Sequence, residues 1–488
     1  MAHGFTRRGF LGMVGAGAAA ALPRGSVAGE AQTKERPPNF IIIFTDDQGY
    51  QDLGCFGSPD IATPCIDKMA AEGTRFTDFH VAACVCTPSR AALLTGCYPQ
   101  RVSLPNVLFP GSKVGFSDKE TTLAELLKAR GYATACIGKW HLGHLPPFLP
   151  TRHGFDSYFG IPYSNDMTVD PNMEVADDVV WREGMTLEKM RKEKPIRHAV
   201  PLFRGEKVIE YPVDQTQLTT RYTEEAVKFV TANKDRPFFL YLAHNMPHIP
   251  LFVSERFKGK SKRGLYGDVI EEIDWSTGQL LDAVRKLGLA ENTCVVYTSD
   301  NGPWLIMGRN GGSALPLRDG KGTTWEGGMR VPCIVWWPGR VPAGKTCGEL
   351  ATTMDLLPTF ARLAGAEVPK DRIIDGKDIS PLMLGAAGAK SPHEAFFYYR
   401  GYALEAVRSG KWKLHLARKV GGGKAKAAET RPAALYDLEA DIGEKNDVAA
   451  ANPDIVKRLE ALAERCREDL GDANRGTTGK NRRPCGTG

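Results

Sequence analysis

The sequence predicts an α/β protein: a large mixed, mostly parallel sheet sandwiched by helices, followed by a smaller C-terminal α+β domain of antiparallel strands with a closing helix. Three observations predict it. Short runs of β-branched and aromatic residues recur up to about residue 300, and each ends in polar residues, as strands buried on both faces of a parallel sheet do. Helix-like segments separate these runs. After about residue 350 the strand-like runs follow one another without long helices between them.

Taken in order, the chain opens with Thr6-Arg7-Arg8-Gly9-Phe10-Leu11-Gly12 and a small apolar run, Met13 to Leu22, the pattern of a twin-arginine export signal. Pro23 and Arg24 close the run after about ten residues, too few to cross a bilayer as a helix, and Ser26-Val27-Ala28 offers small residues for cleavage. Residues 1–28 are therefore expected to be removed. With Arg7, Arg8 and Arg24 gone, the formal charge falls from +6 to +3, a balance that gives no reason to expect a nucleic-acid partner. No later stretch reaches the roughly 18 uninterrupted apolar residues of a membrane span. The expected location is the bacterial periplasm or the medium, reached through the twin-arginine export machinery.

Asn39-Phe40-Ile41-Ile42-Ile43-Phe44 reads as the first buried strand and stops at Asp46, Asp47 and Gly49. Thr122 to Arg130 is helix-like and leads to a short strand, Thr134-Ala135-Cys136-Ile137-Gly138. Phe238 to Ala243 and Cys294 to Thr298 repeat the theme, with helix-like segments at 222–233 and 267–287. Such alternation, here over a domain at 38–350, places a site at the carboxyl ends of the strands. In a second domain at 351–470, Phe396-Phe397-Tyr398-Tyr399, Glu405 to Leu416 and Leu435-Tyr436-Asp437-Leu438 read as strands and Pro453 to Asp469 as the closing helix. Gly421 to Lys426 reads as a mobile glycine- and lysine-rich loop, and 471–488, which lacks periodicity, as a disordered tail.

Two acidic pairs fall at strand ends: Asp46-Asp47, and Asp300-Asn301 before Gly302. Either pair alone would suit a turn or a helix cap. Together, at the ends of strands of one sheet, they can place four oxygen donors around one hard cation, Ca²⁺ or Mg²⁺ in preference to zinc. Eleven cysteines in an exported chain suggest disulfides, but the odd count leaves one over, and Cys86 is the candidate. Pairing among the other ten is not readable, and several stay free if the chain folds before export. A zinc or redox reading of Cys84-Val85-Cys86 lacks a second ligand pair.

Cys86-Thr87-Pro88-Ser89-Arg90, followed by Ala91-Ala92-Leu93-Leu94-Thr95-Gly96, resembles the signature of the formylglycine-dependent sulfatase family, of the alkaline-phosphatase superfamily. The resemblance runs from Pro38 to about residue 460 and is closest to the group of arylsulfatase A and N-acetylgalactosamine-6-sulfatase. It implies that a maturation enzyme oxidises Cys86 to formylglycine and that Arg90 stays with the hydrated aldehyde. One hydroxyl of that hydrate can attack sulfur; the other can collapse to expel sulfate, which a serine could not do. Asp46, Asp47, Asp300 and Asn301 match the family's metal ligands, with one Ca²⁺ per chain as the precedent. Gly138-Lys139-Trp140-His141-Leu142-Gly143 matches a motif that assigns Lys139 to sulfate oxygens and His141 to deprotonating the hydrate. His248, in Pro247-His248-Ile249-Pro250, matches the histidine on the leaving-group side, while His244 reads as structural or specificity-related. Lys321, in Gly320-Lys321-Gly322-Thr323-Thr324-Trp325-Glu326-Gly327-Gly328, matches the lysine bridging sulfate and leaving group, with glycines that permit close backbone approach to an anion. Ser164 matches a serine that contacts sulfate. Asp166-Met167 and Leu305 to Leu317 are less family-like, and such loops are where substrate choice is expected.

The implied reaction is hydrolysis of an aryl sulfate or a sulfated carbohydrate to alcohol and inorganic sulfate. Two rival readings remain: a phosphate or phosphonate monoester hydrolase of the same superfamily, and a non-catalytic carbohydrate-binding homologue. The two-zinc phosphatases need extra histidines, and this chain has ten in all, few in metal-like positions.

Overall fold

Asn39–Thr45 forms a strand in which all seven residues are buried, so its sequence shows an unbroken apolar run instead of alternation. It pairs in parallel with Phe238–Ala243 on one side and Thr293–Ser299 on the other, and Ala133–Gly138 and Ser157–Gly160 extend the parallel block. The computed structural model describes residues 36–420 and 429–488. Residues 1–28, expected to be an export signal, and the Gly421 to Lys426 insertion, expected to be a loop, lie wholly outside them. Among the described residues the sheet has eleven strands, the outer ones partly antiparallel.

Helices cover both faces. Phe40, Ile42 and Phe44 point into one apolar cluster with Leu93, Leu94, Leu123 and Phe360. Ile41 and Ile43 point the other way, into a cluster with Ala226, Val230, Ile270 and Leu281 from the helices Leu218–Ala232 and Leu265–Lys286. The helix Leu123–Lys128 starts where a capping box requires: Thr122 Oγ1 accepts from the Glu125 amide at 3.0 Å, and Glu125 Oε2 accepts from the Thr122 amide at 2.7 Å.

Gly138 ends its strand at φ +111°, where a Cβ would lie 1.8 Å from the Ala243 carbonyl oxygen. Gly138→Ala is expected to cost about 1–3 kcal/mol, measured as a lower urea midpoint, because neither backbone can move aside.

The C-terminal part has the expected antiparallel sheet, with Phe396–Arg400, Ala403–Ser409, Trp412–His415 and Ala434–Asp437 in order and the helix Pro453–Leu470 beside it. Its packing is not separate. Phe396, Leu414 and Leu459 belong to the same cluster as Phe40, and Pro37–Gly488 is one compact unit. The helix Leu356–Leu363 covers the large sheet, with Phe360 stacked on Phe40 at 4.2 Å, so the change of pattern near residue 350 is not a break in packing.

The tail departs from expectation. Gly486–Thr487 pairs with Val114–Gly115, and Arg483 donates to both Glu120 carboxylate oxygens at 2.7 and 2.9 Å. Its anchors are ionic and backbone hydrogen bonds, which hydrophobic periodicity does not register. All eleven cysteines are free thiols, so no pairing is formed. Among the described residues no helix is long and apolar enough to cross a membrane.

Candidate active site

Four neighbouring parallel strands deliver the candidate residues from their carboxyl ends. Thr293–Ser299 leads to Asp300 and Asn301, Asn39–Thr45 to Asp46 and Asp47, Phe238–Ala243 to His244 and His248, and Ala133–Gly138 to Lys139 and His141. Thr45 sits opposite Ser299 in the ladder, so the two acidic pairs are neighbours, and the Asp47 amide donates to Asp300 Oδ1 at 3.1 Å. Asp47 and His141 take positive φ, 63° and 60°, where the chain turns sharply off the strands.

The acidic groups are buried and ringed by cations. Lys139 Nζ contacts Asp46 Oδ2. Lys321 Nζ donates to Asp47 Oδ2 at 2.7 Å, and Arg90 donates through Nε and Nη2 to Asp300 Oδ2 at 3.1 and 2.8 Å. Burial opposes ionisation of Asp46, yet Lys139, His248 and Arg90 hold its carboxyl well below the usual range. Asp300 is pushed up to about 7 by burial and by the neighbouring Asp46 carboxylate. Three carboxylates and three cationic side chains thus share one cluster, and Asp300 is the carboxyl that burial leaves least readily ionised.

Cys86 is the first residue of the helix Cys86–Thr95, all of it buried, and Arg90 lies one turn later on the same face. Burial raises the Cys86 thiol pKa against the pull of Lys139 and Lys321, so the unmodified residue is a thiol, not a thiolate. Thr87 Oγ1 donates to the His141 carbonyl at 2.9 Å and Arg90 Nη1 to the Lys139 carbonyl at 3.0 Å, which ties the Cys86 helix to the Lys139–His141 segment. His141 Nε2 lies 2.9 Å from the Leu108 carbonyl, so it carries the proton, while buried Nδ1 has no partner. Burial and Lys139 keep this ring neutral.

His248 Nδ1 donates to the Ile249 carbonyl at 2.5 Å, and its Nε2 lies 3.7 Å from Asp47 Oδ2. Ser164 Oγ is 3.4 Å from the same ring. Every site residue expected from the sequence therefore falls in one neighbourhood. His244 is buried, 3.4 Å from Ser276 Oγ, and burial pushes it down to about 4, as for a structural histidine.

Two features went unread. Trp304, just beyond Asp300-Asn301-Gly302, lies under Lys321 Nζ at 4.4 Å from the ring centre and 5.6 Å from the His248 ring. An aromatic residue so soon after the Asp300-Asn301 pair was the available signal. The second is a buried network around Glu326. It accepts from Lys413 at 2.9 Å and Tyr398 at 2.7 Å and lies 3.0 Å from His80; Asp78 beside it takes both Nη atoms of Arg408, and Arg330 lies 3.3 Å from Asp78. Asp78, His80 and Glu326 have the spacing of a metal trio, but these cations already compensate them. Glycines in and beside the loop also serve its packing. A Cβ on Gly327 would lie 2.1 Å from the Asp319 carbonyl oxygen, one on Gly328 2.2 Å from that of Thr323, and one on Gly302 1.8 Å from that of Gly327. They let the Lys321 loop fold on itself and against Gly302.

A hard cation fits the donor set. Asp46 Oδ1 and Asn301 Oδ1 are buried oxygens with no hydrogen-bond partner, and an oxygen-seeking cation would satisfy both. Here the titratable ligand atoms of Asp46, Asp47 and His248 lie within 4.8 Å of one another. The unpartnered oxygens favour Asn301 over the imidazole as a ligand.

Comparison with known proteins agrees with this geometry. A family model described as Sulfatase matches residues 38–366, and a second, the C-terminal region of aryl-sulfatase, matches 391–486. Arylsulfatase A of Homo sapiens is 42% identical over 452 residues, covering 88% of this chain and 87% of that protein. N-acetylgalactosamine-6-sulfatase of Canis lupus familiaris is 44% identical over 395 residues, covering 78% of this chain and 72% of that protein. The crystal structure of Ps i-CgsB, also solved with k-i-k-neocarrahexaose, superposes with a TM-score of 0.74 at 34% identity over 88% of this chain and 92% of that one. The signature helix at Cys86, the acidic strand ends and a match along most of the length lead to one assignment: this chain belongs to the sulfatase family, the sulfuric ester hydrolases.

Proposed function

We propose that the protein hydrolyses sulfate monoesters with Cys86, matured to formylglycine, as nucleophile and with Ca²⁺ held by Asp46, Asp47, Asp300 and Asn301. The observation that carries this reading is the placement of Cys86 at a buried helix start whose next turn, through Arg90, reaches the acidic cluster. Bound Ca²⁺ supplies polarisation of a sulfate oxygen, and hydrated formylglycine supplies a nucleophilic oxygen with a second hydroxyl for release.

The chain's own residues do the rest. Lys139 and Lys321 each use one of three ammonium donors on a carboxylate, leaving others for sulfate oxygens. His141, neutral and with Nδ1 unpartnered, is fitted to take a proton near Cys86. His248 Nε2 is the atom that can hold a proton for the departing oxygen; burial and Lys321 lower the pKa of the ring, and Asp47 opposes them. Ser164, beside His248, is fitted to donate to sulfate. Arg90 holds Asp300 and neutralises charge behind Cys86.

The substrate is an aryl sulfate or a sulfated carbohydrate. The twin-arginine segment supports export to the periplasm or beyond after folding, and the free thiols agree with folding in a reducing compartment. The partners in maturation are a formylglycine-generating enzyme and the export machinery. We also keep 38–350 as the catalytic segment and 351–470 as a supporting one, although their cores are continuous.

The test is the mass of the Cys86 peptide from natively expressed protein beside sulfate release from 4-nitrophenyl sulfate by the same sample. An aldehyde mass with sulfate release supports the reading; a fully unmodified thiol in an active enzyme overturns it. Chelation is expected to reduce turnover at least tenfold, with Ca²⁺ restoring it better than Zn²⁺, given the oxygen donors (about 1.4 kcal/mol per tenfold). Equal rescue by zinc favours the phosphorus-ester branch.

A further inference from the structure

Beyond the Lys321 loop lies a second cavity, of about 250 Å³. One wall is Gly322 to Trp325, the continuation of that loop, and the Gly322 amide donates to the Cys84 carbonyl at 2.9 Å, two residues from Cys86. The other wall comes from the C-terminal sheet and the hairpin after it: Arg400, Glu405, Arg418 and Arg431. Three guanidinium groups thus face two carboxylates, buried Glu405 and exposed Asp319.

Glu405 is already engaged. Its Oε1 accepts from Arg400 Nε at 3.0 Å, and its Oε2 accepts from Thr324 Oγ1 at 2.8 Å and lies 3.3 Å from Arg418 Nη2. The Arg418 side chain is 9% exposed, yet its Nε–H is buried without any acceptor. A buried charged donor left unsatisfied is costly, and an incoming oxyanion would remove the deficit. Burial, with the like charge of Arg431 and Arg400, pushes the Arg418 pKa down against the pull of Glu405, and a bound anion would relieve that strain on the charge.

We infer that this cavity is a subsite for a second acidic group, a carboxylate or sulfate, on a polyanionic saccharide whose scissile sulfate lies at Cys86. The inference rests on the sulfate-ester reading of the neighbouring site and narrows it: acidic oligosaccharides are preferred over singly charged aryl sulfates. Arg418 is the specificity-determining contact, with Arg431 at the exposed rim.

The experiment measures binding without turnover. Chondroitin 6-sulfate tetrasaccharide is titrated calorimetrically into Cys86→Ala protein with and without Arg418→Gln, and the desulfated tetrasaccharide is titrated in parallel. Arg418→Gln is expected to weaken the sulfated probe about tenfold, the scale of a charge-assisted hydrogen bond, with Arg418→Lys losing less. The same effect on the desulfated probe identifies a carboxylate as the ligand; its restriction to the sulfated probe identifies a second sulfate. Arg431→Gln, at an exposed position, repeats the measurement without risk to folding and is expected to give a smaller loss. In enzyme with Cys86 intact, the change for the tetrasaccharide must exceed that in KM for 4-nitrophenyl sulfate, since a merely structural role would move both together. Parallel losses, or no dependence on Arg418 and Arg431, overturn the inference. Failure of the formylglycine-bearing enzyme to cleave 4-nitrophenyl sulfate would instead count against the catalytic reading, because the titrations on Cys86→Ala protein do not depend on turnover.

Discussion

Cys86→Ala is expected to lower kcat/KM for an aryl sulfate by about 10⁴-fold or more, the scale seen when a nucleophile is removed. Stability should change little by comparison. The side chain is small, it begins the helix instead of filling its centre, and Arg90 keeps its bonds to Asp300 whatever stands at position 86. The check is steady-state kinetics beside a urea titration of the same variant. Cys86→Ser separates attack from release: a serine oxygen can take the sulfuryl group, but it has no second hydroxyl on the same carbon to expel it. At most one equivalent of phenol per chain should appear before turnover stops. Sustained multiple turnover by either variant would falsify the nucleophile assignment.

Lys413→Met is expected to cost about 3–5 kcal/mol, the penalty for leaving buried charge without its partner. Lys413 is fully buried and lies 2.9 Å from both Glu326 and Glu444, with its ammonium 4.0 Å from the Tyr398 ring centre. Without it, His80, Arg330 and Arg408 still face Glu326, but Glu444 loses its ammonium partner and keeps His415 at 3.0 Å and the Glu326 amide at 2.7 Å. The loss should be read from the urea midpoint. Catalysis should fall as well, because the Glu326 amide donates to Glu444 Oε2 at 2.7 Å, and this bond anchors the loop that carries Lys321.

The same pair sets a pH expectation. Burial opposes the Glu326 charge, but Lys413 and His80 hold its pKa well below the ordinary glutamate range. A depressed carboxylate contributes stability that is complete above the unfolded-state pKa and lost as pH falls through the folded-state value. Removing Lys413 raises that folded-state value, so acid unfolding of Lys413→Met should begin at higher pH than in the wild-type protein. Identical acid transitions would show that Lys413 is not what holds Glu326 ionised.

Much of this protein was decided locally and could be read from the sequence. Strands such as Asn39–Thr45 and Phe238–Ala243 are continuous apolar runs because both sheet faces are covered, and their ends are marked by Asp46-Asp47 or by the turn to His248. The signature at Cys86 and the segments around Lys139, His248 and Lys321 are contiguous, so the family resemblance they carry was legible before any distance was known. Pairings across long separations were not. Arg408 meets Asp78 across 330 residues, and Arg483 meets Glu120 across 363. Hydrophobic periodicity reports which face of a segment is buried, but it carries no information about which distant charge will stand opposite a buried one. Tertiary structure alone therefore placed Trp304 under Lys321, ordered the tail, joined the C-terminal sheet to the main core, and set Arg418 with an unpartnered donor beside the Lys321 loop.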